Sequence, residues 1–567
     1  MAMPWHRTLV CLFLHSSLLL AQCPPLGPIL PAPTGLSQNP MFQQLVAQVN
    51  AQLLNVSSSL NQTAVSVGMR SVHEAGPLLN FHYTPQEFNA SGAHKVDGNT
   101  VYRVGSVTKV FTALGILQLE GKINLADPVT KYVPKLAGIS GSNNSLTAVD
   151  WNTVTVEALL THLGGVPVDL AGGPIEYIPG MAQTMGLPQL SQSQQPPPCG
   201  EMPGQAACSL DDFLNHIGSK PPIYRPFTTP VYSNIGYAVL GRIIENVSGQ
   251  TWADYLEQNI ARKAGMNRTT GVDAPASNLG FIPAESNWWG TSLGFLSSDG
   301  GAYASNNDIL SFGKAILSNT LLDSAQTRKW MKPMTFTSSI GMAVGASWEI
   351  VRGPNLTADG RIIDFYAKLG DVGDYSAILA LVPDFDLVIA MNFAGPDSDE
   401  TVGLGIFSQL VQAIIPVVDQ IGKSEASAKL AGTYSARPNS SLELSVDDFG
   451  VLVSNFSANG VDVAEGYSAL NGAADVPTTI RLYPTNLQAG NGSSAWRAVY
   501  TVGTAEDAAA VDAQLFFPHG SCQTWLVIDR IEYGWESIDY FVVTEDASGK
   551  VVGVEPKAWR LKLERTD

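Results

Sequence analysis

Gly105-Ser106-Val107-Thr108-Lys109 is the segment whose residue types and spacing point most directly to chemistry. A Ser and a Lys three positions apart share one face of a helix, so the amine can reach the hydroxyl. A helix N-terminus also favours negative charge developing on the Ser oxygen. That hydroxyl is a poor nucleophile until a base takes its proton, and a desolvated Lys can serve. The spacing alone is not diagnostic, because Ser311-Phe312-Gly313-Lys314 repeats it in what reads as an ordinary helical segment. Tyr232-Ser233-Asn234 supplies a phenol whose pKa a nearby cation would lower for proton relay, and an amide able to face substrate or the Lys. Lys368-Leu369-Gly370-Asp371 adds positive potential beside the Tyr. Gly370 lets backbone pass close to a ligand. The N–H groups of Ser106 and Asp371 would then face an oxyanion.

Two competing patterns are weaker. Gly290-Thr291-Ser292-Leu293-Gly294 matches the Gly-x-Ser-x-Gly elbow of α/β-hydrolases. That elbow needs a buried strand before it, and Ser286-Asn287-Trp288-Trp289 stands there instead. It also needs a later His, and the chain offers only His519, far toward the C-terminus. The eight His residues are scattered, with no close His/Asp cluster of the kind zinc requires. No metal and no organic cofactor are expected.

Several elements must position these groups. Val107, Val110, Phe111, Leu114 and Leu117 recur at helical spacing, predicting a helix over Val104 to Glu120 that Gly121 stops. Two apolar runs, 377–382 and 387–393, flank Pro383-Asp384-Phe385-Asp386 and read as a hairpin of buried strands. Thr401 to Val418 reads as a closing helix. After about Ser424 the texture changes to short β-rich runs: 442–446, 451–456, 480–483, 496–502, 515–517, 525–528, 540–543 and 559–563. That spacing predicts a small antiparallel barrel or sandwich. The organisation expected is a signal peptide (1–21), a Pro-rich arm (22–40), a catalytic domain (41–423) and a C-terminal β domain (424–567). Within the catalytic domain, residues 168–208 contain Gly172-Gly173-Pro174, a Gln/Ser run and Pro196-Pro197-Pro198, and read as a surface insertion.

The rest of the chain points to export. A basic flank precedes a short apolar run ending at Ala21, the layout of a secretory signal peptide, and no later stretch reads as a membrane span. Removing that peptide takes Cys11 and leaves Cys23, Cys199, Cys208 and Cys522, which admit three pairings. The short loop favours Cys199 with Cys208, which leaves Cys23 for Cys522. Ten sequons, at Asn55, Asn61, Asn89, Asn143, Asn246, Asn267, Asn355, Asn439, Asn455 and Asn491, fit a glycosylating route. The net charge of −18 argues against nucleic acid and an anionic membrane surface as partners.

Taken in order, Ser106-x-x-Lys109, Tyr232-x-Asn234 and Lys368-x-Gly370 resemble the three elements of serine β-lactamases and penicillin-binding proteins of the class C, esterase-like branch. Leu125-Ala126-Asp127-Pro128-Val129, the Leu159 to Pro167 segment holding His162, and Gly300-Gly301-Ala302-Tyr303 resemble the family's intervening segments over roughly residues 80 to 420. Cys23 to Pro28 and Leu430 to Tyr434 resemble secreted fungal members. The resemblance implies an α+β fold: an antiparallel sheet flanked by helices plus a helical subdomain. It implies Ser106 as nucleophile, Lys109 and Tyr232 as proton carriers, and oxyanion donors at the N–H of Ser106 and Asp371. Asn234, Lys368 and Gly370 would bind substrate, and His162 would be structural. The family's hydroxyl residue after the third-element Lys is Leu369 here, and Asp371 and Asp374 add negative charge. Both departures argue against β-lactams and for a neutral ester, lactone or amide in a small or peptide-like acyl substrate. Hydrolysis, acyl transfer to an alcohol or amine, and a non-catalytic binding role on this fold stay open, as does the oligomeric state.

Overall fold

The computed structural model describes residues 23–139, 146–170, 175, 178–191, 194–195, 199–200, 202–218, 220–517 and 519–567. The expected signal peptide, the Asn143 sequon and parts of the 168–208 insertion lie outside them.

An eight-stranded antiparallel sheet forms the frame of the site. Its strands are β1 (Ala64–Ser71), β2 (Leu79–Tyr83), β5 (Thr335–Phe336), β6 (Met342–Val344), β7 (Glu349–Gly353), β8 (Ile363–Val372), β9 (Tyr375–Val382) and β10 (Leu387–Ala394). They run in the order β2-β1-β10-β9-β8-β7-β6-β5, while β3 (Val101–Arg103) and β4 (Tyr303–Ser305) pair separately. Every residue of β9 and β10 is buried, because helices cover both faces of the sheet. Alternation sorts the side chains. Ile378, Ala380 and Val382 turn to the cluster shared with α1 (Pro40–Ser57) and the last helix. Leu379 and Leu381 turn to the cluster built on α2 (Thr108–Gln118), α3 (Asn234–Ser248) and α4 (Asn306–Leu317). The hairpin read from the sequence is thus present, and its continuous apolar runs reflect burial on two faces.

The last helix, α5 (Glu400–Leu430), is longer than the sequence suggests. Beyond Val418 its buried positions include charged residues, so the apolar period fades while the helix continues. Asp419 there accepts from Arg361 at 2.9 Å and pairs with Lys423 at 2.7 Å. The helix therefore crosses position 423 unbroken. It is also the one described helix long and apolar enough to cross a membrane. Here Ile406, Phe407, Leu410, Ile414 and Val418 pack it against the sheet.

After α5, the strands β11 (Gly432–Ala436), β12 (Ser440–Asp447), β13 (Gly450–Ala458), β15 (Thr478–Ala489), β16 (Ser493–Val502), β17 (Tyr540–Glu545), β18 (Val551–Pro556) and β19 (Leu563–Arg565) pair in sequence, and β19 returns to β11. They make a closed antiparallel barrel, with the short β14 (Val461–Asp462) added at β13. Closure removes the free edges an open sheet would present. Three expected strands differ. Residues 515–517 form no strand, 525–528 coincide with a helical turn, and 559–563 run from the end of a 3-10 turn at Trp559 to the first residue of β19 at Leu563. The first two lie in the excursion between β16 and β17, which pair directly with each other and leave it no place in the barrel. Phe516 is 98% exposed and Trp525 79%. Apolar, β-prone composition suggested strands there, but burial is missing.

The Pro-rich arm joins the two cores: Ile29 and Leu30 enter the barrel core and Leu36 the sheet core. Cys199 is bonded to Cys208, and Cys23 to Cys522.

Candidate active site

Ser106 sits on a 3-10 turn, Gly105–Val107, that leads into α2, and that turn packs on β8. The approach is close. A Cβ on Gly370 would lie 2.2 Å from the Val104 carbonyl oxygen and 2.6 Å from the Ser106 nitrogen. One on Gly105, whose φ is +49°, would lie 2.7 Å from the Asp371 nitrogen. Both positions require glycine, and their contact brings the backbone of Ser106 beside that of Asp371. Sequence reasoning found Gly370 and passed over Gly105.

Lys109, one helical turn on, is fully buried. Its ammonium donates to Asn234 Oδ1 at 2.6 Å, to the Asp299 carbonyl at 2.8 Å and to Ser106 Oγ at 3.0 Å. Two acceptors that cannot give up a proton thus fix its orientation and aim the third position at Ser106. Tyr232 closes the other side, its hydroxyl donating to Ser106 Oγ at 2.5 Å. The Ser hydroxyl is therefore held between two groups able to exchange its proton.

Tyr232 is placed by the start of α3. Ser233 caps that helix, accepting from the Gly236 N–H, and donates to the Pro167 carbonyl. His162 accepts the Ser233 N–H at its Nδ1 and stacks its ring 4.7 Å from that of Tyr232. Burial, and then the positive charges of Lys109 and Lys368, hold the imidazole well below its usual pKa, so it is a neutral platform. The phenol departs from expectation. Lys368 and the Ser106 hydrogen bond both lower its pKa, but burial outweighs them and the value rises to about 12. Two cations do lie over the ring, with Nζ 4.9 Å (Lys109) and 5.2 Å (Lys368) from its centre. Desolvation of the phenolate dominates nevertheless.

Asn234 and Lys368 are brought to the site, yet neither is open toward it. The Asn234 amide accepts from Lys109 and donates to Asp169 Oδ1 at 2.6 Å, so it orients the Lys. The Lys368 ammonium donates to Glu349 Oε1 and to the Leu369 carbonyl. Glu349, Asp169 and Asp299 were invisible in the sequence, since only strand register and chain return bring them here. Trp288 is a fourth such residue, its ring against Gly373 in the β8–β9 turn. Asp371 reaches the surface, but burial and then the charge of Glu400 raise its carboxyl to about 6.

The competing patterns do no such work. Ser292 is exposed on a turn and accepts from the Gly294 N–H, and His519 is exposed on the barrel excursion. Ser311 accepts from Arg70 and Lys314 donates to the Glu74 carbonyl. Among the described residues no His, Cys, Asp and Glu gather as metal ligands.

An antiparallel sheet with helices on both faces and a Ser–Lys–Tyr cluster at a helix start defines the class: a β-lactamase/transpeptidase-type fold. The Beta-lactamase family model matches residues 77–410. A second, described as "Beta-lactamase-like-like, C-terminal domain", matches residues 422–567. The chain belongs to the beta-lactamase family of hydrolases. It is 27% identical over 571 residues to "Beta-lactamase-like protein" of Arthroderma benhamiae, covering 94% of each chain. It is 22% identical to "Penicillin-binding protein 4*" of Bacillus subtilis over 51% of this chain and 60% of that one. The solved octameric penicillin-binding protein homologue from Pyrococcus abyssi superposes with a TM-score of 0.46 at 18% identity, over 91% of this chain and 99% of that one.

Proposed function

We propose that the protein is a secreted serine hydrolase that cleaves a neutral ester, lactone or amide through an acyl-enzyme on Ser106. The observation that carries this reading is the double contact on Ser106 Oγ, from Lys109 at 3.0 Å and Tyr232 at 2.5 Å. As Oγ attacks the carbonyl carbon, its proton passes to the Lys109–Tyr232 pair in the form that holds one proton fewer than ammonium plus phenol: the neutral amine, still donating to Asn234 and the Asp299 carbonyl, turns its lone pair to Ser106. The N–H groups of Ser106 and Asp371 receive the oxyanion, worth roughly 3 kcal/mol per donor. Collapse expels the leaving alcohol or amine, which takes the proton from the pair. Water then repeats the sequence in reverse and frees the acid. Asn234 and Asp299 hold Lys109 in line, and Lys368 sets the potential at the phenol.

Export is supported by the basic-then-apolar N-terminus, by the two disulfides, and by described sequon asparagines that are all exposed except the half-buried Asn89. The absence of a hydroxyl at Leu369 and the pairing of Lys368 favour a substrate other than a β-lactam. The test is labelling by a fluorophosphonate with peptide mapping, alongside an ester, lactone and amide screen controlled by Ser106→Ala. Label on Ser106 and loss of turnover in that variant are expected; a label elsewhere, or faster cleavage of penicillins than of p-nitrophenyl esters, would overturn the reading.

A further inference from the structure

We infer that Glu349 is a charge selector: by occupying Lys368 it withholds that ammonium from substrate, so the acyl group accepted carries no carboxylate near the scissile carbonyl. The inference rests on Ser106 being the nucleophile.

Glu349 begins β7, directly across from Ala367 on β8. One carboxylate oxygen takes the Lys368 ammonium and the other accepts the Leu369 N–H at 3.0 Å. A two-point hold on adjacent residues of one strand fixes the carboxylate in place. It lies outward of the cation: the Lys368 side chain is 2% exposed, that of Glu349 25%. A substrate approaching from solvent therefore meets the negative member of the pair first. The other cation over the Tyr232 ring, Lys109, already donates to Ser106, Asn234 and Asp299. Leu369 is half-buried against the cluster on the α5 side and offers no hydroxyl. Asp371 and Asp374 at the β8–β9 turn add further negative charge. An anion that comes within a Debye length of these charges, about 8 Å, is repelled by them.

Glu349 is a positioning and selectivity residue, touching Lys368 and not the reacting atoms. Its test uses two p-nitrophenyl esters of equal chain length, one with a neutral acyl group and one ending in a carboxylate. Glu349→Gln keeps an acceptor for the Leu369 N–H and removes the charge. Relative to the neutral ester, kcat/KM for the anionic ester should rise about tenfold, the gain of one charge interaction of ordinary strength. The change should fall on KM. Lys368→Met in the Glu349→Gln background should cancel the gain. A ratio that does not move, or a gain that survives loss of Lys368, overturns the inference. In the unaltered protein, raising salt from about 50 mM to about 500 mM should lift the same ratio several-fold by screening. An unmoved ratio there also counts against the selector, even if the variant fails to fold. Turnover of the neutral ester by Ser106→Ala would instead sink the nucleophile, so the two failures are distinct.

Discussion

Ser106 with Lys109 and Ser311 with Lys314 have the same residue types, the same spacing and a helical setting, yet their surroundings diverge. Lys109 is sealed in the core and aimed at Ser106 by Asn234 and the Asp299 carbonyl. Lys314 is half-buried and donates to the Glu74 carbonyl, while Ser311 accepts from Arg70. At the first site the helix begins beside the Ser, and a tyrosine from a second element meets the same oxygen. At the second the Ser lies inside α4 with no phenol on it. The pair of residues supplies groups; three converging elements supply the arrangement the proposed reaction needs.

Mutation should separate the two sites sharply. Ser106→Ala should lower turnover by about a millionfold, as removal of a nucleophile from a catalytic unit does elsewhere. Ser311→Ala should change it by less than about twofold, since it lies away from the cluster. Steady-state kinetics with fluorophosphonate labelling checks both, and a comparable loss in the two variants would erase the distinction. Tyr232→Phe keeps the ring over Lys109 but removes the proton carrier, for an expected fall in kcat of about 10²–10⁴. Asp169→Asn acts one step further out, through Asn234. Weakening that charge-assisted bond, worth roughly 1.5 kcal/mol, should lower kcat about tenfold and shift the acid limb of its pH profile.

The smallest effect concerns Asp371. Burial, then Glu400, Asp399 and Glu349, raise its carboxyl from 3.8 to about 6, with Lys368 opposing. A folded-state pKa above the unfolded value means the folded protein binds the extra proton. The stabilisation is complete below about pH 4 and is lost as pH rises through 6. Asp371→Asn should therefore raise Tm modestly at pH 7–8 and leave it unchanged near pH 4. Thermal scans across that range decide it.

How legible was this in the sequence? The three segments that meet at Ser106 were, because each is a short local pattern and their order along the chain is informative. The buried hairpin was as well, since strands covered on both faces become uninterrupted apolar runs. Glu349, Asp169 and Asp299 were not. A lone carboxylate after Trp348 or Val168 has no local signature, and only the β7–β8 register or the return of the chain gives it meaning. The expected lowering of the Tyr232 pKa failed for a related reason: neighbouring charges can be guessed from motifs, whereas burial of a phenol is a property of the whole fold. Phe516 and Trp525 mark the opposite error, apolar residues read as strand that the fold leaves in solvent.

The Cys23–Cys522 bond joins residues 499 positions apart and so turns most of the chain into one covalent ring. A single backbone nick within that ring, for example at the exposed residues 185–190, opens the circle without releasing a fragment. If the protein is exported as proposed, a first proteolytic cut there would release no fragment until the disulfide is reduced.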